Sequence, residues 1–367
     1  MKVRFIYRNA HNYRLHEEVG IMRLWRERRL VGLMGLLVIV GVLGSLVVGF
    51  PGASQQGFIP EELVVGMVPS RAATILQPPV EGMAKLVLDY VQKNGFPQVK
   101  RVRAVIPESY TATVEAIGAE KIHIGLLGPF QIVQVMDSYG AIPINVAKRG
   151  ANLTYRSQFM VHVDSTLKAL KDDDQDPKND LVSLVKSGAT VRFSYGGSST
   201  STSGFLFPCK TLKDLGILPG DYKNFKTIRA ANHLASAIAV YKKDVDVGVG
   251  FDDVRQSLNT EQAKKELGWK PGDPEPSTNV NVIGYSDDIP NDGIVAIKAL
   301  DAKLRETIKQ AFVEIMKTEE GKKYAKDALD ATDFVPVPEG YDMAKALEAV
   351  RVVAKEIQPN LAKCENQ

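Results

Sequence analysis

SYGGSSTSTSGFLFP, residues 194–208, places a run of glycine, serine and threonine directly ahead of an apolar segment. The run follows ATVRFSY (189–195), which predicts a β-strand, and precedes GFLFPCKTLKDLG (204–216), whose apolar residues have helical spacing. A strand, a glycine-rich loop and a helix start in that order can bind an anion, because the first backbone amides of a helix have no partner within it. Three hydroxyl donors would lie at that point, namely Ser201, Thr202 and Ser203. A flexible loop ahead of an N-capped helix explains the same residues, so the loop alone leaves both interpretations open.

The composition is that of an ordinary globular protein, with 44% apolar and 24% charged residues in a chain of 367. That length is enough for two domains. The net charge of +3 is unevenly divided: eight basic and three acidic residues up to Ser54 give +5, which leaves −2 for the remainder. A weakly acidic body without a basic block gives no sign of a nucleic-acid partner.

The N-terminal segment predicts export. Residues 1–29 form a basic region, and residues 30–50 are uncharged and mostly apolar, long enough for one membrane-spanning helix. Basic residues ahead of the span keep residues 1–29 in the cytoplasm, so the chain after Phe50 reaches the periplasm or the outer face of the cytoplasmic membrane. Residues 51–57 form a linker, and cleavage after Ser54 would make the apolar segment a signal peptide core. An uncleaved transmembrane anchor fits equally well.

From residue 58 onward, short β-branched runs alternate with helical patterns, which indicates parallel sheets with crossover helices. We predict strands at 63–69, 99–107, 122–129, 141–149, 189–195, 225–231, 245–251, 280–286 and 293–300. We predict helices at 80–95, 109–121, 130–140, 233–244, 301–330 with a break near Gly321, and from about residue 341. An acidic insertion at 167–180 and a surface loop at 264–279 interrupt the pattern. This order favours two α/β units, one inserted in the other.

The chain lacks the common enzyme and nucleotide-binding motifs. It has no P-loop, no strand-linked G-x-G-x-x-G, no H-E-x-x-H and no G-x-S-x-G. We therefore predict no catalytic residues and no cofactor. Five scattered histidines and two cysteines offer no metal site. Cys209 and Cys364 could pair in an oxidising compartment, but their spacing does not require it.

Three further residues stand at the ends of predicted elements. His233 begins a helix directly after a strand, Tyr110 opens a helix after VIPES, and Tyr155 lies in ANLTYRS. A histidine in the same cleft as the serines could donate a hydrogen bond to an anion, which would favour its protonated form. Each of the three is also explained as a capping or half-buried residue.

Six segments, in order along the chain, resemble the substrate-binding proteins of ATP-driven importers for phosphonates and related phosphorus oxyanions. They are ESYTATVEAI, GLLGP, ANLTYRS, STSGFLFP, ANHLASAIAVYKKDVDVGVGFDD and IPNDGIVAI, and they cover nearly everything from residue 60 to 335. The resemblance implies ligand contacts from Tyr110, Tyr155, Ser201, Thr202, Ser203, His233 and Asp292. Members that bind an aminoalkyl phosphonate carry a further acid after the VDV strand, which corresponds to Asp253, with Asp252 beside it.

Asp292 and Asp253 bear on the choice of ligand. A carboxylate repels a fully ionised anion, so Asp292 should favour a ligand that carries a proton or an ammonium group. An amine tail is favoured if Asp253 faces the cleft, and a small phosphonate or phosphite if it faces solvent. Hydroxyl and amide donors are expected to hold the oxyanion without lysine or arginine. The family commonly has proline after the aspartate of its I-P-x-D segment, where this chain has Gly293, so that loop is expected to differ.

The resemblance implies a two-lobed α/β fold like that of periplasmic binding proteins, with discontinuous lobes preceded by one N-terminal hydrophobic helix. We expect residues 58–155 and 289–367 in the first lobe and 156–288 in the second. The protein would capture a phosphonate, phosphite or related phosphorus oxyanion between the lobes and deliver it to an ABC permease, without turnover. Two alternatives stay open: a larger phosphorylated ligand such as a thiamine phosphate, and a membrane-anchored sensor.

Overall fold

The computed structural model describes residues 57–167 and 178–365. The predicted apolar span at 30–50 and most of the acidic insertion at 167–180 lie outside these ranges. Across the described ranges, no helix is both long enough and apolar enough to cross a membrane.

Six strands form sheet A: β1 (Glu62–Met67), β2 (Arg101–Val105), β3 (Ile124–Leu127), β4 (Ile142–Lys148), β12 (Gly293–Ala296) and β13 (Asp333–Pro336). They lie in the order β13-β4-β12-β3-β1-β2. β1 pairs in parallel with β2 and β3, whereas β12 runs antiparallel to both of its neighbours. Every residue of β3 and β12 is buried, as expected for central strands that are covered on both faces.

Five strands form sheet B: β6 (Ser157–His162), β7 (Val191–Gly196), β8 (Phe225–Ala230), β9 (Val247–Phe251) and β10 (Val280–Tyr285), in the order β10-β6-β9-β7-β8. Between the two sheets, β5 (Thr154–Tyr155) and β11 (Ile289–Pro290) form an antiparallel pair. The chain therefore passes from sheet A to sheet B through β5 and returns through β11. We call sheet A with its helices lobe A, and sheet B with its helices lobe B. The lobe limits at residues 155 and 288 stay a prediction.

The helices of lobe A are α1 (Ala73–Lys93), α2 (Tyr110–Gly118), α3 (Pro129–Tyr139), α8 (Ala302–Ile315) and α9 (Glu319–Leu329). Those of lobe B are α4 (Lys178–Lys186), α5 (Phe207–Asp214), α6 (His233–Tyr241) and α7 (Glu261–Leu267), and a π-helical turn at Thr202–Leu206 runs directly into α5. Two C-terminal helices follow, α10 (Met343–Ile357) and α11 (Leu361–Cys364). In α1 the buried side chains recur every three or four residues, at Leu76, Val80, Met83, Val87 and Val91, which fixes one face of the helix against the core.

The structure corrects the predicted loop at 264–279 and the position of the break in the predicted helix at 301–330. The segment at 264–279 is not all loop, because α7 extends to Leu267 before Gly268, in the left-handed conformation at φ 70°, ends it. The predicted helix at 301–330 breaks before Thr318 and not at Gly321. The Thr318 hydroxyl accepts a hydrogen bond from the Gly321 amide and so caps the start of α9.

The C-terminal helices contact both lobes. In α10, Arg351 donates two hydrogen bonds to Asp137 of α3 in lobe A. In α11, Cys364 forms a disulfide with Cys209 of α5 in lobe B, which decides the pairing that the sequence left open. The end of the segment 289–367 is therefore linked to lobe B through this disulfide, and the assignment of the segment to the first lobe stays a prediction.

We predict that the disulfide stabilises the protein strongly, because it joins residues 155 positions apart. The double variant Cys209→Ser/Cys364→Ser should lose about 2–5 kcal/mol of unfolding free energy, as removal of a disulfide closing a long loop usually does. Urea denaturation followed by circular dichroism measures the loss. A thiol reductant should lower the stability of the wild-type protein and leave that of the double variant unchanged; equal stability of the two proteins would contradict the prediction.

Candidate functional site

A cavity of about 420 Å³ lies between the two lobes. Its lining in lobe A includes residues that follow four strands in turn, Arg71, Tyr110, Gly128 and Arg149. Its lining in lobe B comes from the turns after β7, β8 and β9, with Ser201, Thr202, Ser203, His233 and Asp253. The carboxyl ends of parallel strands meet at one edge of a sheet, so each lobe presents its strand-to-helix turns to the cavity. All eight residues predicted from the sequence line this cavity, and their contact with a ligand stays a prediction.

Four helix starts surround the cavity, two from each lobe. They belong to α2 and α3 in lobe A, and to the π-helical turn and α6 in lobe B. Ser109, Ser201 and Asn232 cap three of them, each accepting a hydrogen bond from the backbone amide three residues further on. Each helix start carries roughly half a positive charge, so their convergence favours a negatively charged occupant.

The serine and threonine side chains of the sequence motif are buried at the cavity wall. Ser201, Thr202 and Ser203 are all less than 5% exposed. Gly204 is required beside them, because a Cβ at this position would collide with the carbonyl oxygen of Gly196. The predicted helix start is confirmed, with the difference that its first turn is π-helical.

His233 lies between the lobes with both ring nitrogens buried. Its Nε2 is 3.5 Å from the Tyr110 hydroxyl and 3.4 Å from Ser201 Oγ, whereas its Nδ1 has no hydrogen-bond partner among the described residues. Burial, together with the positive charges of Arg71 and Arg149, lowers the pKa of His233 to about 3. Without a bound anion the imidazole is therefore neutral at physiological pH, and it can still donate one hydrogen bond. That a bound anion favours its protonated form stays a prediction.

Tyr110 and Tyr155 are buried and keep their hydroxyl protons. Burial raises the pKa of both phenols, and interactions with Ser201 and Ser203 respectively lower it by less. Tyr110 begins α2 in lobe A, and Tyr155 lies in the crossing strand β5. Two phenol donors therefore approach the serine motif of lobe B from outside that lobe.

Asp292 is paired with an arginine that the sequence analysis missed. Arg149 Nη2 donates to Asp292 Oδ2 over 2.7 Å, and its guanidinium carbon lies 4.7 Å from the centre of the Tyr155 ring. Burial raises the pKa of the Asp292 carboxyl, and the charge and hydrogen bond of Arg149 act against this rise. Both Arg149 and Arg71 line the cavity, and the expectation that uncharged donors are sufficient to hold the oxyanion stays a prediction. The available signal was an arginine directly after a buried strand, at the edge where the other site residues lie.

Besides the contact of Tyr110 with His233, two hydrogen bonds from α3 join the lobes beside the cavity. The amide of Phe130, at the start of α3, donates to Thr202 Oγ1 over 3.1 Å. Gln131 Nε2 donates to the Thr200 carbonyl over 2.7 Å, whereas the buried Gln131 Oε1 has no partner among the described residues. The lobes therefore meet directly at the serine motif.

Asp253 and Asp252 occupy different surroundings. Asp253 is exposed, in the left-handed conformation at φ 63°, and lines the cavity. Asp252 does not line this cavity: its Oδ2 accepts a hydrogen bond from the Arg156 amide, and burial raises its pKa to about 6. Asp253 is thus the acid that a ligand tail could reach.

The sequence model of one protein family matches residues 77–340; its description is ABC transporter, phosphonate, periplasmic substrate-binding protein. The chain is 28% identical over 224 residues to the Phosphonates-binding periplasmic protein of Escherichia coli K12, covering 60% of this chain and 59% of that protein. It is 24% identical over 273 residues to the Phosphate-import protein PhnD of Mycolicibacterium smegmatis, covering 71% and 74%. The match thus spans less than two thirds of the length of the E. coli protein.

Solved structures show the same fold. PhnD1 from Prochlorococcus marinus, in complex with methylphosphonate, superposes with a TM-score of 0.64 at 17% identity, covering 82% of this chain and 99% of that one. XAC2383 from Xanthomonas citri superposes with a TM-score of 0.60 at 14% identity, covering 82% and 100%. The two-lobed α/β fold predicted from the sequence is confirmed by these likenesses, whereas the N-terminal hydrophobic helix lies outside the described residues.

The lowered pKa of His233 predicts a loss of stability in acid. A histidine in the unfolded chain takes up a proton below about pH 6.5, whereas folded His233 stays neutral down to about pH 3, so the free energy of unfolding falls as the pH falls between these values. Between pH 7 and pH 5, His233 should account for about 2 kcal/mol of this loss. Urea denaturation at both pH values measures it.

His233→Gln should lose less stability on acidification than the wild-type protein by that amount. His162→Gln is the matched control, because His162 is only partly buried and should contribute little. A His233→Gln protein that loses as much as the wild type would contradict the assignment.

Proposed function

The chain belongs to the family of periplasmic substrate-binding proteins of phosphonate ABC transporters, and we propose that it captures a small phosphorus oxyanion in the cavity between its lobes. The ligand would be a phosphonate, phosphite or phosphate. The protein would then deliver it to an ABC permease in the membrane. The protein binds and releases this ligand without changing it.

The observation that carries this proposal is the convergence of four helix starts and of buried neutral donors on one cavity. The donors are the hydroxyls of Ser201, Ser203, Tyr110 and Tyr155 and the imidazole of His233. Hydrogen bonds from such donors to an ionised oxyanion are each stronger than those between neutral groups. A tetrahedral oxyanion has enough acceptor sites to use several of them at once.

The names of the relatives favour a compact ligand. The two curated relatives are named for phosphonates and for phosphate, and the solved complex contains methylphosphonate. The names of the two sequence relatives give the thiamine phosphate and sensor alternatives no such support. Asp253 at the exposed edge of the cavity leaves room for a short amine tail on the ligand.

Ligand capture by closure follows from the position of the donors. Tyr110 and Asp292 stand on lobe A, while Ser201 and His233 stand on lobe B. A ligand that touches both sets binds better when the lobes are together, and only such differential contact can drive closure. The cargo would leave when the lobes separate.

We predict that the purified protein binds methylphosphonate, phosphite or phosphate in isothermal titration calorimetry. The double variant Ser201→Ala/Ser203→Ala should weaken binding about 10²–10⁴-fold, because each hydrogen bond to a charged group contributes roughly 1.5–3 kcal/mol. Ser183→Ala, on an exposed position of α4, is the matched control and should bind like the wild type. Unchanged affinity in the double variant would remove the serine motif from the site.

A further inference from the structure

We propose that Arg149 determines which charge state of the ligand the site accepts, by neutralising Asp292 so that a doubly ionised phosphorus oxyanion can bind. This inference rests on the proposed function. It replaces the expectation from the sequence, in which Asp292 acts alone and selects a ligand that carries a proton.

Arg149 is held in a fixed orientation. Its Nε and Nη2 both donate to the Leu329 carbonyl at the end of α9, over 3.2 and 3.1 Å, and Nη2 also donates to Asp292 Oδ2 over 2.7 Å. The ring of Tyr155 lies against the guanidinium. Among the described residues, no hydrogen bond uses Nη1. The guanidinium thus neutralises the carboxylate in a fixed orientation and lines the cavity.

Asp292 faces the serine motif across the boundary between the lobes. Both side chains lie beside the same backbone position, Gly128. A Cβ atom placed on this glycine would lie 3.6 Å from Asp292 Oδ1 and 3.7 Å from Thr202 Oγ1. An anion bound at Thr202 would therefore lie close to the carboxylate. Without a compensating cation, the carboxylate would oppose each additional negative charge on the ligand.

The other charged groups around the cavity do not replace Arg149 in this role. Arg71 donates to the carbonyls of Asp327 and Ala328, and no ion pair joins it to Asp292 among the described residues. Lys326 is paired with Asp330. Two further carboxylates are exposed, Asp253 and Asp327, and Asp327 is paired with Lys323. The remaining titratable groups are Asp252, which is paired with Arg156, and the neutral His233, Tyr110 and Tyr155.

Two charge states of the site follow from this geometry. With Arg149 present, the Arg149–Asp292 pair is neutral overall, and the four helix starts leave the cavity favourable to a dianion. With Arg149 removed, the site can take an anion well only if Asp292 or the ligand carries a proton. In either case binding weakens as the pH rises, because Asp292 or the ligand loses that proton.

The test is the pH dependence of methylphosphonate affinity, measured by calorimetry between pH 5.5 and 8.5 on the purified full chain. The affinity of the wild-type protein should stay constant or increase as the pH rises and the ligand loses its second proton. The affinity of Arg149→Gln should fall as the pH rises, and the fall should approach about tenfold per pH unit once the pH exceeds the pKa of the group that must carry the proton. The affinity of the double variant Arg149→Gln/Asp292→Asn should no longer fall with rising pH. The affinity of Arg149→Lys should stay constant or increase with pH, as in the wild-type protein.

Each outcome bears on one statement. If the wild-type protein binds none of the three oxyanions at any pH, the proposed function fails. If it binds but loses affinity with rising pH as Arg149→Gln does, the function stands and the role of Arg149 is overturned. A slope in Arg149→Gln that persists in the double variant also overturns it, since Asp292 is then not the group that Arg149 neutralises. A wild-type affinity that falls with rising pH overturns the proposal even if Arg149→Gln does not fold, and Arg149→Lys then remains as the second variant.

Discussion

The positive ends of four helices, two from each lobe, meet around one cavity, and this arrangement governs the rest of the structure. Like charges brought together repel, so negative charge between the helix ends favours the approach of the lobes. Asp292 supplies one such charge, but its pairing with Arg149 largely cancels it. The fold thus brings helix ends of one sign together at the cavity where we propose that an anion binds.

Hydrogen bonds between uncharged groups also join the two lobes beside the cavity. The amide of Phe130 and the side chain of Gln131 reach from α3 to Thr202 and Thr200, so the helix start that faces the cavity also touches the opposite lobe. The atoms that join the lobes therefore lie next to the residues that we propose bind the ligand. The C-terminal helices add a connection on other surfaces, through Asp137 in lobe A and Cys209 in lobe B.

Much of the fold could be predicted from local patterns, because its strands are short apolar runs and its helix starts carry capping residues. The serine motif, Tyr110 and His233 stand at strand ends, where pattern and resemblance agree. Arg149 escaped prediction because its partner, Asp292, is 143 residues away and only the pairing of β4 with β12 brings the two together. The neutrality of His233 also depends on burial, which no local pattern reports.

The strand order of sheet A has a consequence for how the polypeptide matures. β12 lies between β3 and β4, yet it follows all five strands of sheet B along the chain. Lobe B therefore has its complete set of strands while β3 and β4 still lack their common neighbour, and their edges stay open until residues 293–296 arrive. Pairing across such separations is slow, and late completion of lobe A suits a polypeptide that must cross a membrane before it acquires its final form.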